Sequence, residues 1–361
     1  MKLLRRNYAV AELLILRKNL LKLLFSPKKI INFLLVKFSV FFKLKKCLGL
    51  PLNILIEPTG RCNYRCLKCE MFSKKYRDEE VLNKNKNMPK KYYKKIIDEL
   101  GDSLLTLRLW HYGEPLLNPD IFWMVEYAKR KSIIVAISSN LSLLRKEKPR
   151  KLIASGLDYL IVSFDGASER SYNLYHRKDN FNQVAENIIK LVKLKKELKS
   201  LTPFIELQFI MMKENEKEIT RMKNLAKEWG VNKLTFLKLD VQNINFDKIE
   251  GFNSKKDILP ANKNYWLDLE GANQNNFCKI PWEETLIRYS GIVLPCAVDL
   301  SQEYRMGRLF GENYYLGFNR LWNNHNYRTF RKTVSKHDKS CPEICRNCGK
   351  RNNTSSNEIK L

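Results

Sequence analysis

The chain has 361 residues, of which 44% are hydrophobic and 11% aromatic, so it can bury a core, and wholesale disorder is excluded. The 14 glycines and 12 prolines are too few for a fibrous or low-complexity protein, and the length predicts two folded units or one large one. Lys and Arg outnumber Asp and Glu by 66 to 38, a net charge of +28, which favours phospholipid, nucleic acid or phosphorylated partners without choosing among them.

The first fifty residues concentrate this charge, since they contain twelve basic residues and one acid, Glu12. Apolar residues recur at helical spacing in Ala9–Leu24, with basic residues on another face. This composition is typical of a helix that lies on an anionic bilayer. Residues 1–50 are therefore predicted to be a basic amphipathic extension, either peripheral to the inner face of the membrane through residues 1–48 or packed on the body of the protein.

A membrane span is not predicted in this extension. Its most apolar run is Ile30–Phe42, thirteen residues interrupted by Lys37. A spanning helix needs about 20 apolar residues.

Residues 51–240 alternate between short β-rich runs and helical patterns. The predicted strands are Leu52–Ile56, Leu104–Trp110, Ile133–Ser138, Tyr159–Phe164, Ile205–Met211 and Lys233–Leu237. The predicted helices are Pro89–Leu100, Pro119–Arg130, Ser142–Ala154, Asn182–Lys196 and Asn215–Trp229. Six β/α units predict an α/β fold with parallel strands, either a partial TIM-type barrel or a doubly wound sheet.

The polar residues 241–277 interrupt this alternation and are predicted to be a linker. A smaller α+β unit is predicted over residues 278–350, with a hairpin of Glu284–Tyr289 and Ile292–Pro295 followed by helices Leu316–Trp322 and Tyr327–Val334. Residues 351–361 are predicted to be a frayed tail.

The cysteines occur in groups with the spacing of metal ligands. Of the nine cysteines, three lie within residues 62–69, three within residues 341–348, and two are Cys278 and Cys296. Thiol clusters in a chain of this size, without a signal-peptide pattern, indicate metal sites in a reducing compartment rather than disulfides, and hence a cytoplasmic protein.

Cys62, Cys66 and Cys69 form a C-x3-C-x2-C motif directly after the first predicted strand. Three thiolates on one loop can bind three irons of a [4Fe–4S] cluster and leave the fourth iron open for a substrate or cosubstrate. The alternative is a zinc knuckle that a distant fourth ligand completes.

The loop Ile56–Cys69 resembles that of the radical S-adenosylmethionine (radical SAM) superfamily. The resemblance implies a partial (β/α)6 barrel with a three-cysteine [4Fe–4S] cluster whose open iron chelates S-adenosylmethionine. It also implies reductive cleavage of that cofactor to a 5′-deoxyadenosyl radical, hydrogen abstraction from a substrate, and an electron donor such as ferredoxin or flavodoxin.

Further matches to the family stand at predicted strand ends, where α/β barrels assemble their sites. Tyr112, Gly113 and Glu114 resemble the glycine–glutamate motif that receives the amino group of the cofactor, and Ser139 and Asn140 stand where relatives place polar groups near the ribose. Ser163 and Asp165 resemble the family's S-x-D-G turn, and Arg177 resembles the arginine that pairs with the cofactor carboxylate. No catalytic proton acceptor is assigned; His111 adjoins the motif, but packing at the strand end is the simpler interpretation.

The C-terminal cysteines resemble a SPASM domain in its shorter twitch form. Cys278, Cys296, Cys345 and Cys348 would bind one auxiliary [4Fe–4S] cluster, with Cys341 spare, an alternative ligand or part of a second site. Four-cysteine zinc is the alternative.

These features together predict a radical SAM enzyme whose auxiliary cluster aids electron transfer during oxidation or bond formation. The basic extension favours a lipid-linked or saccharide-linked substrate of envelope biosynthesis. The alternatives are a peptide-modifying maturase of the same superfamily and a nucleic-acid-binding iron–sulfur or zinc protein; the basic runs lack the interleaved aromatic residues that the latter would need.

Overall fold

The computed structural model describes residues 26–67, 69, 86–240, 257–267, 277–299, 302–335, 341–346 and 348. The predicted helix Ala9–Leu24, the predicted tail 351–361 and most of the predicted linker 241–277 lie outside these residues.

Six parallel strands form the centre of the fold, in the spatial order of the chain. They are β1 (Asn53–Ile56), β2 (Thr106–Arg108), β3 (Ile134–Ser139), β4 (Tyr159–Ser163), β5 (Phe204–Ile210) and β6 (Lys233–Leu237). The helices between them are α2 (Lys90–Leu100), α3 (Ile121–Lys129), α4 (Lys148–Ala154), α5 (Glu169–His176), α6 (Phe181–Glu197) and α7 (Ile219–Trp229). This arrangement confirms the predicted partial (β/α)6 barrel and brings the carboxyl ends of all six strands to one edge.

Burial explains why these segments form these elements. The strands are short apolar runs, and β4 buries four of its five residues, as expected for a parallel sheet covered on both faces. The helices bury one stripe each; on α2 this stripe is Tyr92, Tyr93, Ile96, Ile97 and Leu100. Each fully buried large apolar side chain contributes about 1.5–3 kcal/mol.

Two helices differ from the sequence prediction. α4 begins at Lys148 rather than Ser142, because Leu141 and Lys146 adopt left-handed backbone conformations and Pro149 fixes the first turn. α5 was not predicted; Ser168 and Ser171 form a reciprocal capping box at its start, which stabilises a helix too short to show a clear periodic pattern.

The C-terminal part extends the same sheet. It begins with α8 (Ile280–Glu283), and β9 (Glu284–Ile287) and β10 (Ile292–Leu294) form the predicted antiparallel hairpin. β9 also pairs in parallel with β1, with Ile54 opposite Thr285. With β11 (Gly307–Arg308) the sheet has nine strands in the order β11-β10-β9-β1-β2-β3-β4-β5-β6.

The remaining elements lie outside this sheet. β7 (Leu239–Asp240) and β8 (Trp266–Leu267) form a two-stranded sheet. α1 (Pro27–Phe41) precedes β1, and the helices α9 (Phe318–Trp322), α10 (His325–Val334) and α11 (Glu343–Arg346) follow β11. Across the described ranges, no helix combines the length and apolarity needed to cross a bilayer.

Candidate active site

The loop after β1, residues 57–69, carries the three cysteines of the first motif at the carboxyl edge of the sheet. We call it the cysteine loop. Backbone hydrogen bonds fix it to its neighbours: Gly60 N–H to Lys86 O at 2.7 Å, Glu114 N–H to Arg61 O at 2.8 Å, and Leu67 N–H to Tyr175 O at 2.8 Å. The segment after β2 and helix α5 therefore determine where the thiols stand.

Gly113 lies directly against the cysteine loop. A Cβ atom at this position would stand 1.8 Å from the carbonyl oxygen of Thr59, far inside van der Waals contact. Only glycine allows the segment after β2 to approach the loop this closely, which gives a physical reason for the glycine of the predicted glycine–glutamate motif.

The Glu114 side chain connects the ends of β2 and β3. Its carboxylate accepts from Ser139 Oγ at 2.7 Å, from Asn140 N–H at 2.9 Å and from Leu116 N–H at 3.0 Å. Burial raises the pKa of Glu114, and these hydrogen bonds act against that rise. A carboxylate has about four acceptor positions, and these bonds occupy three of them.

A polar network joins the end of β3 to the cysteine loop. Asn140 Nδ2 donates to Asn63 Oδ1 at 3.1 Å, and Asn63 Nδ2 donates to Ser142 Oγ at 2.9 Å. Ser142 Oγ in turn donates to Asn140 Oδ1 at 2.7 Å. The network closes on itself, so the predicted residue Asn140 orients the loop between Cys62 and Cys66.

The three thiols lie within electrostatic reach of one another. Burial raises the pKa of Cys62 to about 12, and the nearby charges of Glu114 and Cys69 add to the rise. Burial makes the largest contribution to the raised pKa of Cys66, and the charges of Cys69 and Cys62 raise it further. The three thiolate forms thus destabilise one another.

A bound iron–sulfur cluster would remove this penalty, because metal ions stabilise thiolates, and the soft donor set suits iron. Within the described residues, no three His, Cys, Asp or Glu side chains stand close enough together for a single metal ion. The residues present fit a cluster with three protein ligands.

His176 joins Cys66 to the end of β4. Its Nδ1 lies 3.3 Å from Cys66 Sγ and its Nε2 lies 3.3 Å from Asp165 Oδ2. Asp165 Oδ1 also accepts from Ile210 N–H at 2.7 Å. All of these polar groups are buried except part of Cys66, so Asp165 supports the site through His176 rather than facing it openly.

The other predicted cofactor residues lie at the same edge. Ser163 is half-buried at the end of β4, and Tyr112 packs its ring against His111 with a centroid distance of 4.2 Å. Arg177 ends α5 in a left-handed conformation with φ 55° and is half-buried.

The C-terminal cysteines form a second group of thiols. Burial raises the pKa of Cys345, and the charges of Cys296, Cys278, Cys341 and Cys348 all add to the rise. Cys341 therefore lies within electrostatic reach of Cys345, as the other predicted ligands do. Cys278, Cys296, Cys341 and Cys345 are all buried. This set of soft donors also fits an iron–sulfur cluster.

The hairpin that leads to Cys296 connects this second group to the cysteine loop. Arg288 Nε donates to Glu57 Oε2 at 3.0 Å in a fully buried ion pair. The Tyr289 ring occupies the space beside Gly60, where a Cβ atom would stand 2.0 Å from Cε1. His111 Nε2 lies 3.4 Å from the carbonyl oxygen of Ala297.

Sequence reasoning missed several of these residues. His176 and Asn63 are sequence neighbours of Arg177 and Cys62, but only Arg177 and Cys62 were predicted to have roles. Their adjacency to Arg177 and Cys62 was the available signal. Gly60 and Tyr289 are 229 residues apart in the chain, and their contact depends on the pairing of β9 with β1, which no local pattern reveals.

Comparison with known proteins agrees with this geometry. The profile of the radical SAM superfamily matches residues 56–226, and that of the SPASM iron–sulfur cluster-binding domain matches residues 278–349. The tungsten-containing aldehyde ferredoxin oxidoreductase cofactor-modifying protein of Pyrococcus furiosus is 27% identical over 280 residues, which cover 71% of this chain and 74% of that protein.

A further relative and a solved structure span similar regions. The antilisterial bacteriocin subtilosin biosynthesis protein AlbA of Bacillus subtilis is 24% identical over 298 residues, 76% of this chain and 62% of that protein, so the chain spans less than two thirds of AlbA. The crystal structure of Streptococcus suis SuiB bound to S-adenosylmethionine shares the fold, with a TM-score of 0.56 and 15% identity over 79% of this chain and 68% of that one.

The two profile matches agree with the three-cysteine loop, the strand-end residues around it and the second thiol group. This chain therefore belongs to the radical SAM superfamily, as an enzyme with a SPASM domain whose cofactors are S-adenosylmethionine, a [4Fe–4S] cluster and auxiliary iron–sulfur clusters.

Proposed function

We propose that this enzyme oxidises its substrate, or forms a bond in it, by hydrogen abstraction with the help of one auxiliary cluster. When bound, the first cluster and S-adenosylmethionine supply a 5′-deoxyadenosyl radical that removes a hydrogen atom, and the auxiliary cluster supplies an acceptor for the electron that the substrate radical gives up. The proton released with that electron leaves to water.

The chain's own residues would bind and orient these groups. Cys62, Cys66 and Cys69 would bind the first cluster. Glu114 would accept from the amino group of S-adenosylmethionine, beside the backbone of Tyr112 and Gly113. Ser139 and Asn140 would lie near the ribose. Ser163 and Asp165 would form the S-x-D-G turn, from which Asp165 would support Cys66 through His176. Arg177 would pair with the carboxylate.

The auxiliary site would use Cys278, Cys296, Cys345 and Cys348, with Cys341 as an alternative ligand. We propose residues 51–240 as the catalytic core and 278–350 as the auxiliary unit, after a linker over 241–277. The observation that carries the proposal is the parallel pairing of β9 with β1. This pairing joins the strand that leads into the cysteine loop to the hairpin that leads to Cys296, which supports an auxiliary cluster that accepts an electron from a substrate radical formed at the first site.

The proposed substrate is lipid-linked or saccharide-linked and belongs to the cell envelope. The support is the concentration of basic and apolar residues in the first fifty positions. The second candidate is a peptide-modifying enzyme, since the matched relatives include AlbA and PqqA peptide cyclase. The remaining alternative is a nucleic-acid substrate, which the net positive charge of the chain would favour.

The proposed location is the reducing cytoplasm, at the inner face of the membrane. Its support is the set of nine free cysteines, eight of which belong to the two thiol groups. An electron donor such as ferredoxin or flavodoxin would supply the reducing electron there.

Deuterium transfer would identify the substrate class. Cells that carry the protein are grown in deuterated medium, and their lipid, peptide and nucleic-acid fractions are each incubated with the reduced holoenzyme and unlabelled S-adenosylmethionine. We expect deuterated 5′-deoxyadenosine with the lipid fraction. Label with the peptide or nucleic-acid fraction alone would refute the envelope substrate and select that class.

A cysteine variant separates oxidation from hydrogen abstraction. Cys345→Ala should still form 5′-deoxyadenosine but yield no oxidised substrate, whereas Cys47→Ala, a cysteine outside both groups, should retain both. Oxidised product from Cys345→Ala at the wild-type rate would rule out an electron-accepting role for the auxiliary site.

A further inference from the structure

Helix α1 has its polarity inverted relative to an ordinary surface helix. Its buried residues are Lys29, Asn32, Val36 and Ser39, a stripe at helical spacing with three polar members. A surface helix of a soluble protein normally buries its apolar stripe and exposes its polar one. The sequence pattern alone could not show which face is turned inward.

Specific hydrogen bonds hold the polar stripe against the body. Lys29 Nζ donates to Lys131 O at 2.9 Å, at the carboxyl end of α3. Asn32 Nδ2 donates to Leu50 O at 3.0 Å, and its Oδ1 accepts from Leu50 N–H at 2.7 Å. Ser39 Oγ accepts from Leu48 N–H at 2.9 Å. These contacts fix the rotation of α1 about its own axis.

Large apolar side chains consequently face outward. Leu34 is 59% exposed and Phe41 is 79% exposed. Their exposed neighbours are Ile30, Ile31, Leu35, Phe38, Phe42 and Leu48. We call this set the α1 apolar face. Contiguous exposed apolar surface of this kind marks an interaction site, whereas scattered single residues do not.

Exposed lysines surround this face. Lys28 lies at the start of the helix, and Lys43, Lys45 and Lys46 follow its end. The sequence contains no acid between Glu12 and Glu57. Lys28 also pairs with Asp102 at 3.4 Å, so the excess positive charge lies mainly at Lys43, Lys45 and Lys46. An apolar face with lysines at its ends matches an anionic lipid surface, because the apolar side chains can enter the acyl region while the lysines contact the head groups.

Charge argues against two other occupants. Residues 1–25 contain six basic residues and one acid, so covering the face with this segment would bring positive charge to the lysines at its ends. A second copy of the chain would bring the same lysines together. Like charges so placed oppose both arrangements.

We propose that the α1 apolar face docks on the anionic inner surface of a lipid bilayer, with the helix axis parallel to the membrane plane. The fifteen residues of α1 span only about 22 Å at 1.5 Å per residue, so the helix is too short to cross the bilayer. One side of the helix is hydrogen-bonded to the protein, so only the opposite side can contact the membrane. The inference develops the membrane location given under the proposed function, but depends on no step of the radical chemistry.

Vesicle flotation of the anaerobic, cluster-loaded full chain tests this inference. The probes are phosphatidylcholine vesicles with about one third phosphatidylglycerol, and vesicles of phosphatidylcholine alone. We expect the protein to float with the anionic vesicles, and high salt to weaken this binding. The triple variant Leu34→Gln/Phe38→Gln/Phe41→Gln should bind at least about tenfold more weakly.

A matched control uses exposed apolar residues elsewhere on the surface, Ile189, Leu198 and Leu201, of which Leu201 is 73% exposed. The triple Ile189→Gln/Leu198→Gln/Leu201→Gln should float like the wild type. Both triples should form 5′-deoxyadenosine at the wild-type rate with dithionite as reductant, so a failure of the membrane inference stays distinct from a failure of the proposed chemistry.

Several results would overturn the inference. One is equal flotation of the α1 triple and the wild type, and another is a wild-type protein that does not float. Tighter vesicle binding after deletion of residues 1–25 would identify that segment as the occupant. A vesicle-free dimer that the α1 triple converts to a monomer would identify a second copy.

Discussion

His176 Nδ1 lies 3.3 Å from Cys66 Sγ, while His176 Nε2 lies 3.3 Å from Asp165 Oδ2. The imidazole therefore joins a thiol of the cysteine loop to a carboxylate that the backbone N–H of Ile210 also holds. A thiolate ligand is only an acceptor, so in the cluster-loaded protein this contact would be an N–H···S hydrogen bond. Such bonds stabilise the more negative, reduced form of a cluster.

Replacing His176 by Phe should make the first cluster harder to reduce. Loss of the donor should lower its reduction potential by about 50 mV, close to a tenfold change for a one-electron couple. A redox titration followed by electron paramagnetic resonance measures this shift. The exposed His325, replaced by Phe, is the control. Equal potentials in the wild type and His176→Phe would show that the contact does not reach the cluster.

Gly113→Ala should prevent assembly of the first cluster. The added Cβ would stand 1.8 Å from Thr59 O, so the cysteine loop or the segment after β2 must move. We expect a loss of about four irons per chain after reconstitution, the content of one cubane.

The control for this variant is Gly230→Ala, at a left-handed position with no atom closer than 3.4 Å to the added carbon. It should cost about 1 kcal/mol of stability and keep its iron. Full iron in Gly113→Ala would contradict the close approach.

Glu114→Gln should weaken S-adenosylmethionine binding and destabilise the fold. The carboxylate accepts from three donors, and an amide would turn a donor of its own towards one of them. An unmatched buried donor costs about 1–3 kcal/mol. Calorimetric titration of the anaerobic holoenzyme and denaturant unfolding measure the two effects. The exposed Glu147→Gln should change neither; unchanged binding and stability in Glu114→Gln would remove Glu114 from the site.

Cys345→Ala should remove the auxiliary cluster, whereas Cys341→Ala should leave it in place. The other four thiols all raise the pKa of Cys345, and four thiolates suffice for one cubane. Iron counts after reconstitution should fall by about four per chain in the first variant only. An equal loss in Cys341→Ala would make Cys341 a ligand.

Asp299 should give the protein a pH-dependent stability. Burial raises the pKa of Asp299 from 3.8 to about 6, against hydrogen bonds from Glu303 and Tyr304 N–H. The folded state then retains a proton that the unfolded state has released between those two values. Stability therefore falls as pH rises through that window and levels off above it.

This contribution should lower stability by about 1 kcal/mol between pH 5 and pH 7. The measurement is the difference in Tm between the wild type and Asp299→Asn at these two pH values. The wild type should lose about 1–2 °C relative to the variant, because the unfolding entropy of a chain of this size is large. A difference that stays constant with pH would show that Asp299 does not titrate there.

The local parts of the structure were predictable from sequence. The six strands and most helices follow from short apolar runs and helical spacing, which depend on neighbouring residues only. The three-cysteine motif is also a local pattern, so the sequence alone predicted a cluster site on the loop after the first strand.

The non-local parts were not predictable. The pairing of β9 with β1 joins segments more than 200 residues apart. The residue pattern of the hairpin does not show which strand pairs with the outer edge of β9. The inward polar stripe of α1 follows from acceptors such as Lys131 O and Leu50 O, whose position only the folded chain determines. His176 acquires its role in the same way, through two groups from different strand ends.

The most direct test of the account is the amount of 5′-deoxyadenosine formed when the anaerobically reconstituted protein receives dithionite and S-adenosylmethionine. We predict that the wild type forms this product and that Cys66→Ala forms none. Intact S-adenosylmethionine with the iron-loaded wild type, or undiminished product with Cys66→Ala, would contradict the assignment of the radical chemistry to the cysteine loop.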